Sequence, residues 1–288
     1  MTSNLEIVPT GAALGADVVG VDIRCGVDET TFSRILEAWS EHLVLRFRNQ
    51  DLDDDLLTDF SARFGQLDPA PTRPANVPHH PSRPEINVLS NIVVDGTPIG
   101  GLGNSELVWH QDMSYKDVPP KASLLYGLET PVTGGDTLFY NLHLAYDSLP
   151  EDLRSRIETR ICKHDATRNS AGQLRNGFAE TYSNEERPGA CHPLVVRHPQ
   201  SGKKSLYMGR RPNAWIVGLS DAESDTLLDE LWAHVENGEH YWAQQWQPRD
   251  LVIWDNRHTL HRRGTLDPGQ RRLMYRTQVR DDAAPVAA

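Results

Sequence analysis

The chain has 288 residues, with 29 Lys and Arg against 40 Asp and Glu, and a formal net charge of −11 with histidine neutral. At 38% hydrophobic and 24% charged residues it has the composition of a folded globular protein able to bury a sizeable core, not of a disordered chain. The acidic balance speaks against nucleic acid and anionic membrane surfaces as partners, but it leaves any single pocket free to take a small anion.

Three cysteines, Cys25, Cys162 and Cys191, are widely spaced and form no CxxC pair. A disulfide framework or zinc ribbon is therefore not expected, and a reducing, cytoplasmic compartment is the simplest reading. The segment Met1–Glu6 has neither a basic start nor an apolar stretch, so no signal peptide is expected. No apolar run reaches the ~20 residues needed to span a bilayer.

In chain order, residues 1–48 read as a short strand, a helix and a strand. Asp28 can cap a helix that carries Phe32, Ile35, Leu36 and Trp39 at helical spacing, and Val44-Leu45-Arg46-Phe47 follows as a strand. A second helix is expected from about Asp53 to Phe64, ended by Gly65. Its Asp53-Asp54-Asp55 start reads as a helix N-terminus, where acids are favoured, in preference to a metal cluster. Six prolines (Pro69, Pro71, Pro74, Pro78, Pro81 and Pro84) and the glycines Gly96, Gly100, Gly101 and Gly103 break up residues 66–106. Only Ile86–Leu89 looks like a strand there. Long loops of this kind act as lids or substrate loops, so an active-site loop region is expected over 66–106, with a linker or insertion as the other possibility.

Strand-like runs then recur at 123–128, 137–140, 194–197, 205–208, 241–246, 251–254 and 273–279, separated by turn signals such as Gly134-Gly135 and Pro248-Arg249-Asp250. Helices are expected at about 142–160 and 220–236, the latter opened by a Ser220/Glu223 capping box. No break in composition divides the chain. The expected architecture is a single β-rich α+β domain over 1–288, a sandwich or barrel flanked by helices.

The chemistry gathers in three places. Trp109-His110-Gln111-Asp112 sets a histidine and a carboxylate two residues apart, which on an extended segment puts them on one face. A distant histidine could complete the two-histidine, one-carboxylate triad of non-haem iron(II) oxygenases. Trp254-Asp255-Asn256-Arg257-His258-Thr259-Leu260-His261 follows an apolar strand and offers His261 as that third ligand. His258, three residues earlier, is expected to point elsewhere, toward the surface or behind the site. On the strand that follows, Arg272 and Arg276 share one face. Two guanidiniums on a core strand need anions, either bound carboxylates or internal Asp and Glu partners.

Taken together and in this order, His110-x-Asp112, Gly134-Gly135-Asp136-Thr137, Trp254-Asp255-Asn256-Arg257 with His261, and Arg272 with Arg276 resemble the taurine dioxygenase / 2,4-dichlorophenoxyacetate dioxygenase (TauD/TfdA) family of Fe(II)- and 2-oxoglutarate-dependent oxygenases. The resemblance runs from about Gly11–Val21 to Arg280. It implies a double-stranded β-helix (jelly-roll, cupin-like) core flanked by helices, assembled as a homo-oligomer, dimer or tetramer. It implies His110, Asp112 and His261 as iron ligands, and Thr137 and Arg272 at the distal carboxylate of 2-oxoglutarate. Arg276 would meet the anionic group of the substrate, and the two arginines could exchange roles, so Arg276 is also a candidate for 2-oxoglutarate. Trp109 and Asp255 would support the site from behind. The implied reaction uses O2, converts 2-oxoglutarate to succinate and CO2, and hydroxylates a small anionic organic substrate, with C–O or C–S cleavage where the new hydroxyl makes the product fragment.

The sequence departs from the taurine-specific pattern. The positions that hold taurine fall at Ala70, Arg73 and Glu106, and its pocket phenylalanines fall near Ala166 and Pro212. A roomier pocket and a larger organic acid are expected: a carboxylate such as an aryloxyalkanoate, an alkyl sulfonate, a sulfate ester or an amino-acid-like metabolite. Met113 and Tyr115, just after the first metal pair, are candidates to touch it. So are Glu106 and Arg73, with Arg210 and Arg211 as spare cations. Two other classes compete, a non-catalytic metal- or ligand-binding jelly-roll protein and a zinc hydrolase. The second lacks an obvious general base beside His110-x-Asp112.

The charge is also unevenly spread. Residues 1–70 carry thirteen acidic and five basic side chains, whereas 257–280 carry seven arginines against Asp267 alone.

Overall fold

The Asp28 side chain accepts the Thr31 N–H and caps the helix Glu29–His42. This helix buries Phe32, Ile35, Ala38 and Trp39 while leaving Leu36 outside the core. Asp53 caps Asp54–Ala62 in the same way, through the Leu56 N–H, so the acidic triplet is a helix start. Phe32, Phe60 and Phe64 meet edge to face, with ring centroids 5.0–6.4 Å apart, and lock the two helices together. The computed structural model describes residues 5–71, 80–102, 108–169 and 172–288.

Both helices lie on one face of an eight-stranded sheet. Its order is Glu6–Pro9, Ala16–Val19, Val44–Phe47, Leu251–Asp255, Pro120–Glu129, Leu273–Arg280, Asn87–Ser90 and Gly101–Leu102. Alternation along the strands divides the side chains between two layers. Leu45, Phe47, Leu124, Tyr126, Leu251 and Ile253 join the helices in the outer core. Leu89, Leu125, Val252, Trp254 and Met274 face inward and meet Phe139 of a second, three-stranded sheet. That sheet has the order Tyr241–Gln244, Thr137–Asn141, Thr259–Arg263. The two facing sheets form a jelly-roll, as expected. The far side of the smaller sheet is covered by Leu142–Asp147, Glu151–Ile157 and Asp221–Asn237.

The long helix has the predicted capping box. The helix expected over 142–160 is instead two short ones, separated at Pro150, whose ring cannot continue a helix. Strands at Glu6–Pro9 and Ala16–Val19 pair antiparallel as a hairpin, and Thr259–Arg263 is a strand where sequence had suggested only a motif. Within the 66–106 region, the described part holds the strand Asn87–Ser90 and a small hairpin of Val93–Val94 with Thr97–Pro98. No helix among the described residues is long and apolar enough to cross a membrane.

Candidate metal and 2-oxoglutarate site

The chain crosses between the two sheets at residues 255–259. Leu251–Asp255 belongs to the large sheet and Thr259–Arg263 to the small one. His261 is therefore mid-strand in the small sheet, opposite Phe139. His110 pairs with it as an isolated antiparallel bridge, each backbone N–H donating to the other's carbonyl at 3.0 and 2.9 Å. The imidazole centroids are 4.2 Å apart. Asp112 does not sit on an extended segment, contrary to expectation. It enters a turn over 112–115, in which Met113 has φ +50° and Lys116 N–H donates to the Met113 carbonyl. The turn, and not strand alternation, swings the carboxylate back toward the histidines.

Asp112 Oδ1 lies 3.9 Å from His110 Nε2 and 3.8 Å from His261 Nε2. All three residues are buried, at 4–6% exposure. His110 Nδ1 is 2.9 Å from the Val108 carbonyl, an acceptor only, so Nδ1 carries the proton and Nε2 keeps a free lone pair. Buried Nε2 has no hydrogen-bond partner. A histidine held this way, with its second nitrogen on a carbonyl, is in the form that ligates metals. Burial, followed by His110 and Arg276, pushes the His261 imidazole well below its usual pKa against the pull of Asp112, which keeps it neutral. Burial alone would raise the Asp112 carboxyl. Arg276, the two imidazoles and Ser123 outweigh it and bring the pKa to about 2. One carboxylate oxygen and the Nε2 atoms of two buried imidazoles thus face a common point, which suits a divalent metal.

A second cluster, His198, Asp255 and His258, is equally buried but has the wrong protonation. His198 Nδ1 accepts the N–H groups of Gln200 and Ser201, so its proton sits on Nε2, facing Asp255 Oδ2 at 3.5 Å. Asp255 is also gripped by Arg257 at 2.7 Å. This cluster buttresses the crossover. His258 is accordingly inside, at 1% exposure and hydrogen-bonded to Ser205, and not at the surface as one expectation had it.

Next to the triad is a cavity lined by Leu89, Leu125, Trp254, Thr137, Arg263, Arg272 and Arg276 together with His110 and His261. Three arginines at one small cavity suit an anionic ligand. Arg276 also meets an internal carboxylate, Asp112, at 3.0 and 3.3 Å, so one of the two alternatives left open by the sequence holds for this residue. Arg263 was missed by sequence reasoning, although its position two residues after His261 on a strand was the available signal. Also missed were Asn256, whose side chain accepts the Asp112 N–H at 2.7 Å and donates to the Asp112 and Pro120 carbonyls, and Gln111, which ties Met208, Gly209, Asn256 and Arg257 together.

Among the substrate candidates, Met113 and Tyr115 lie on the turn after Asp112 and do not line this cavity. Tyr115 is covered by the Arg175 guanidinium, 4.0 Å from its ring centroid. Arg73 and Glu106 lie outside the described residues. Arg210 and Arg211 are not spare cations. Arg210 donates to the carbonyls of Asn169 and Arg168, and Arg211 bridges Asp225 and Asp229. Trp109 packs against Tyr140, 5.6 Å between centroids, with Arg262 over its ring.

A jelly-roll that brings two histidines and one carboxylate to an arginine-lined cavity defines the class of non-haem iron(II) oxygenases. Residues 6–278 match the family model described as "Taurine catabolism dioxygenase TauD, TfdA family", and the chain belongs to that family. It is 32% identical over 302 residues to pentalenolactone F synthase of Streptomyces arenae, covering 97% of each chain. It is 32% identical over 283 residues to the alpha-ketoglutarate-dependent 2,4-dichlorophenoxyacetate dioxygenase of Cupriavidus pinatubonensis, covering 96% of this chain and 97% of that one. The crystal structure of AAD-2 in complex with Mn(II) and N-oxalylglycine superposes with a TM-score of 0.79 at 30% identity, covering 98% of this chain and all of that one. The protein is an Fe(II)- and 2-oxoglutarate-dependent dioxygenase. It couples oxidative decarboxylation of 2-oxoglutarate to oxidation of an organic substrate by O2.

Proposed function

We propose that His110, Asp112 and His261 hold the iron, that Arg272 and Thr137 hold the distal carboxylate of 2-oxoglutarate, and that Arg276 presents the anionic group of a substrate larger than taurine. The observation that carries the reading is the contact of His110 Nδ1 with the Val108 carbonyl at 2.9 Å, which leaves Nε2 facing the point that Asp112 and His261 share. Thr137 in the smaller sheet and Arg272, just ahead of the large-sheet strand Leu273–Arg280, both line the cavity, and a carboxylate between them would be gripped from both sides. The Thr137 hydroxyl oxygen accepts the Trp246 indole N–H at 3.0 Å, which leaves its proton to donate to an anion.

Bound there, iron(II) with 2-oxoglutarate supplies the oxidising chemistry. The protein's part is to orient and to exclude water, through the apolar walls Leu89, Leu125 and Trp254. The substrate is a small organic anion, such as an aryloxyalkanoate, alkyl sulfonate or sulfate ester. Hydroxylation beside its ether or ester oxygen gives a product that fragments. The free cysteines, two of them exposed, support a cytoplasmic setting. A homo-oligomer belongs to the same reading through the family resemblance.

Anaerobic addition of Fe(II) and 2-oxoglutarate is expected to give a weak visible charge-transfer absorption that Asp112→Ala abolishes. A panel of these anions is then scored for succinate release coupled to substrate loss. Arg272→Ala should mainly raise the 2-oxoglutarate requirement and Arg276→Ala the KM of the organic anion. Two wild-type-like variants would sink this division of roles.

A further inference from the structure

We infer that Ser123, backed by Gln278, is a positioning residue that restricts Asp112 to one metal-facing oxygen. The inference rests on the reading above, in which Asp112 is a metal ligand. Ser123 is fully buried on the inner face of Pro120–Glu129, a central strand where an apolar residue would normally pack, as Leu125 does two residues on. Its hydroxyl donates to Asp112 Oδ2 at 2.8 Å, because a carboxylate can only accept. Gln278, directly opposite in the neighbouring strand, donates its Nε2–H to the same hydroxyl at 3.3 Å and so fixes the direction of the proton.

The lone pairs of the carboxylate can then be assigned. A carboxylate offers about four acceptor positions, two on each oxygen. Oδ2 receives Ser123 at 2.8 Å and, at 3.3 Å, the longer branch of the Nη1–H that Arg276 shares between both oxygens. Oδ1 receives Arg276 at 3.0 Å and keeps one, directed to the side where His110 Nε2 and His261 Nε2 lie. A metal at the triad therefore meets a single oxygen, and the coordination position a second oxygen would take stays open for the 2-oxo acid. Without the serine, Oδ2 regains a lone pair and the carboxylate can close on the metal with both oxygens.

The test compares wild type, Ser123→Ala, Ser123→Thr and Gln278→Met, each loaded with Co(II) and then titrated anaerobically with 2-oxoglutarate. Ser123→Ala is expected to change the Co(II) visible spectrum before 2-oxoglutarate is added and to raise the 2-oxoglutarate requirement about tenfold, the usual size of an outer-sphere effect. Ser123→Thr, which keeps the hydroxyl, should restore both, and Gln278→Met should shift both in the same direction by less. Ser123→Ala and Gln278→Met proteins with the wild-type spectrum and titration would overturn the inference. If Ser123→Ala does not fold, Gln278→Met alone decides by the same criterion. A wild-type Co(II) spectrum that survives Asp112→Ala would instead remove the metal-ligand reading itself, a result distinct from failure of the serine variant alone.

Discussion

Arg276 donates from Nη1 to both carboxylate oxygens of Asp112, at 3.0 and 3.3 Å, in a buried pair that joins the large sheet to the turn after His110. The pair balances the charge that a divalent metal would otherwise have to balance, and the same guanidinium lines the cavity beside the triad. Truncating one partner leaves the other as an uncompensated buried ion, at about 3–5 kcal/mol. Arg276→Met is thus expected to lower the thermal midpoint of the metal-free protein clearly. Adding Mn(II) should recover a larger part of the midpoint in the variant than it adds to wild type, since the metal supplies the missing positive charge. Equal metal-induced shifts in the two proteins would contradict the charge-balance argument.

Asn256 holds the backbone of Asp112 from both sides, accepting its N–H and donating to its carbonyl and that of Pro120. Asn256→Asp keeps the shape but sets a carboxylate oxygen against two carbonyl oxygens. A loss of about 3 kcal/mol in stability to urea is expected from the unmet buried groups, with metal affinity about tenfold weaker. Chemical denaturation and Mn(II) titration check the two parts separately.

Gly209 has φ +61°, and a Cβ there would run into His164 Nδ1, with Ser114 Oγ 2.7 Å away. Its N–H and carbonyl are both bonded to Gln111, between the two metal-ligand candidates, so the backbone cannot move aside freely. Gly209→Ala is expected to destabilise the fold by about 2 kcal/mol or more. His164→Ala should rescue part of that loss in a double-mutant cycle, because the clash is with that ring.

His164 is fully buried, and burial, followed by His192 and Arg210, lowers its imidazole pKa to about 3. Burial likewise lowers His143, His192 and His258. In the unfolded chain each titrates near 6.5, so below that pH the unfolded state binds protons the folded state does not take up. The stability these groups contribute is complete above about pH 6.5 and is lost as pH falls from there toward the folded-state values. The slope is on the order of 1 kcal/mol per histidine per pH unit. The metal-free protein should lose thermal stability steadily from pH 7 to pH 5. A flat midpoint over that range would show that the buried histidines take up protons without unfolding.

The arginine-rich stretch 257–280 shows how far local charge counts carry. Seven arginines against one aspartate suggested a concentration of anion sites. In the folded chain Arg257 meets Asp255 and Asp281, Arg271 meets Glu129, Arg276 meets Asp112 and Arg280 meets Asp68. Most of the excess is neutralised by carboxylates distant in sequence or outside the counted window. Arg263 and Arg272 line the cavity beside Arg276.

What the sequence by itself determined was local or carried by motif order. The caps at Asp28, Asp53 and Ser220 came from side-chain chemistry within three residues. The ligand candidates and the jelly-roll came from the order of the motifs, which resembled one family. Only the tertiary structure decided which groups meet. His110 and Asp112 converge through a turn, Arg276 lies against Asp112 from 164 residues away, and from two other segments Ser123 holds that carboxylate and Asn256 the Asp112 backbone. It also separated two clusters of the same composition. His110 has its proton on a carbonyl and its other nitrogen free, whereas His198 accepts two backbone N–H groups and keeps its proton toward Asp255. Residue type sets what a side chain can donate, accept or ligate. Which of these it does depends on neighbours brought by sheet pairing, and that pairing is long-range.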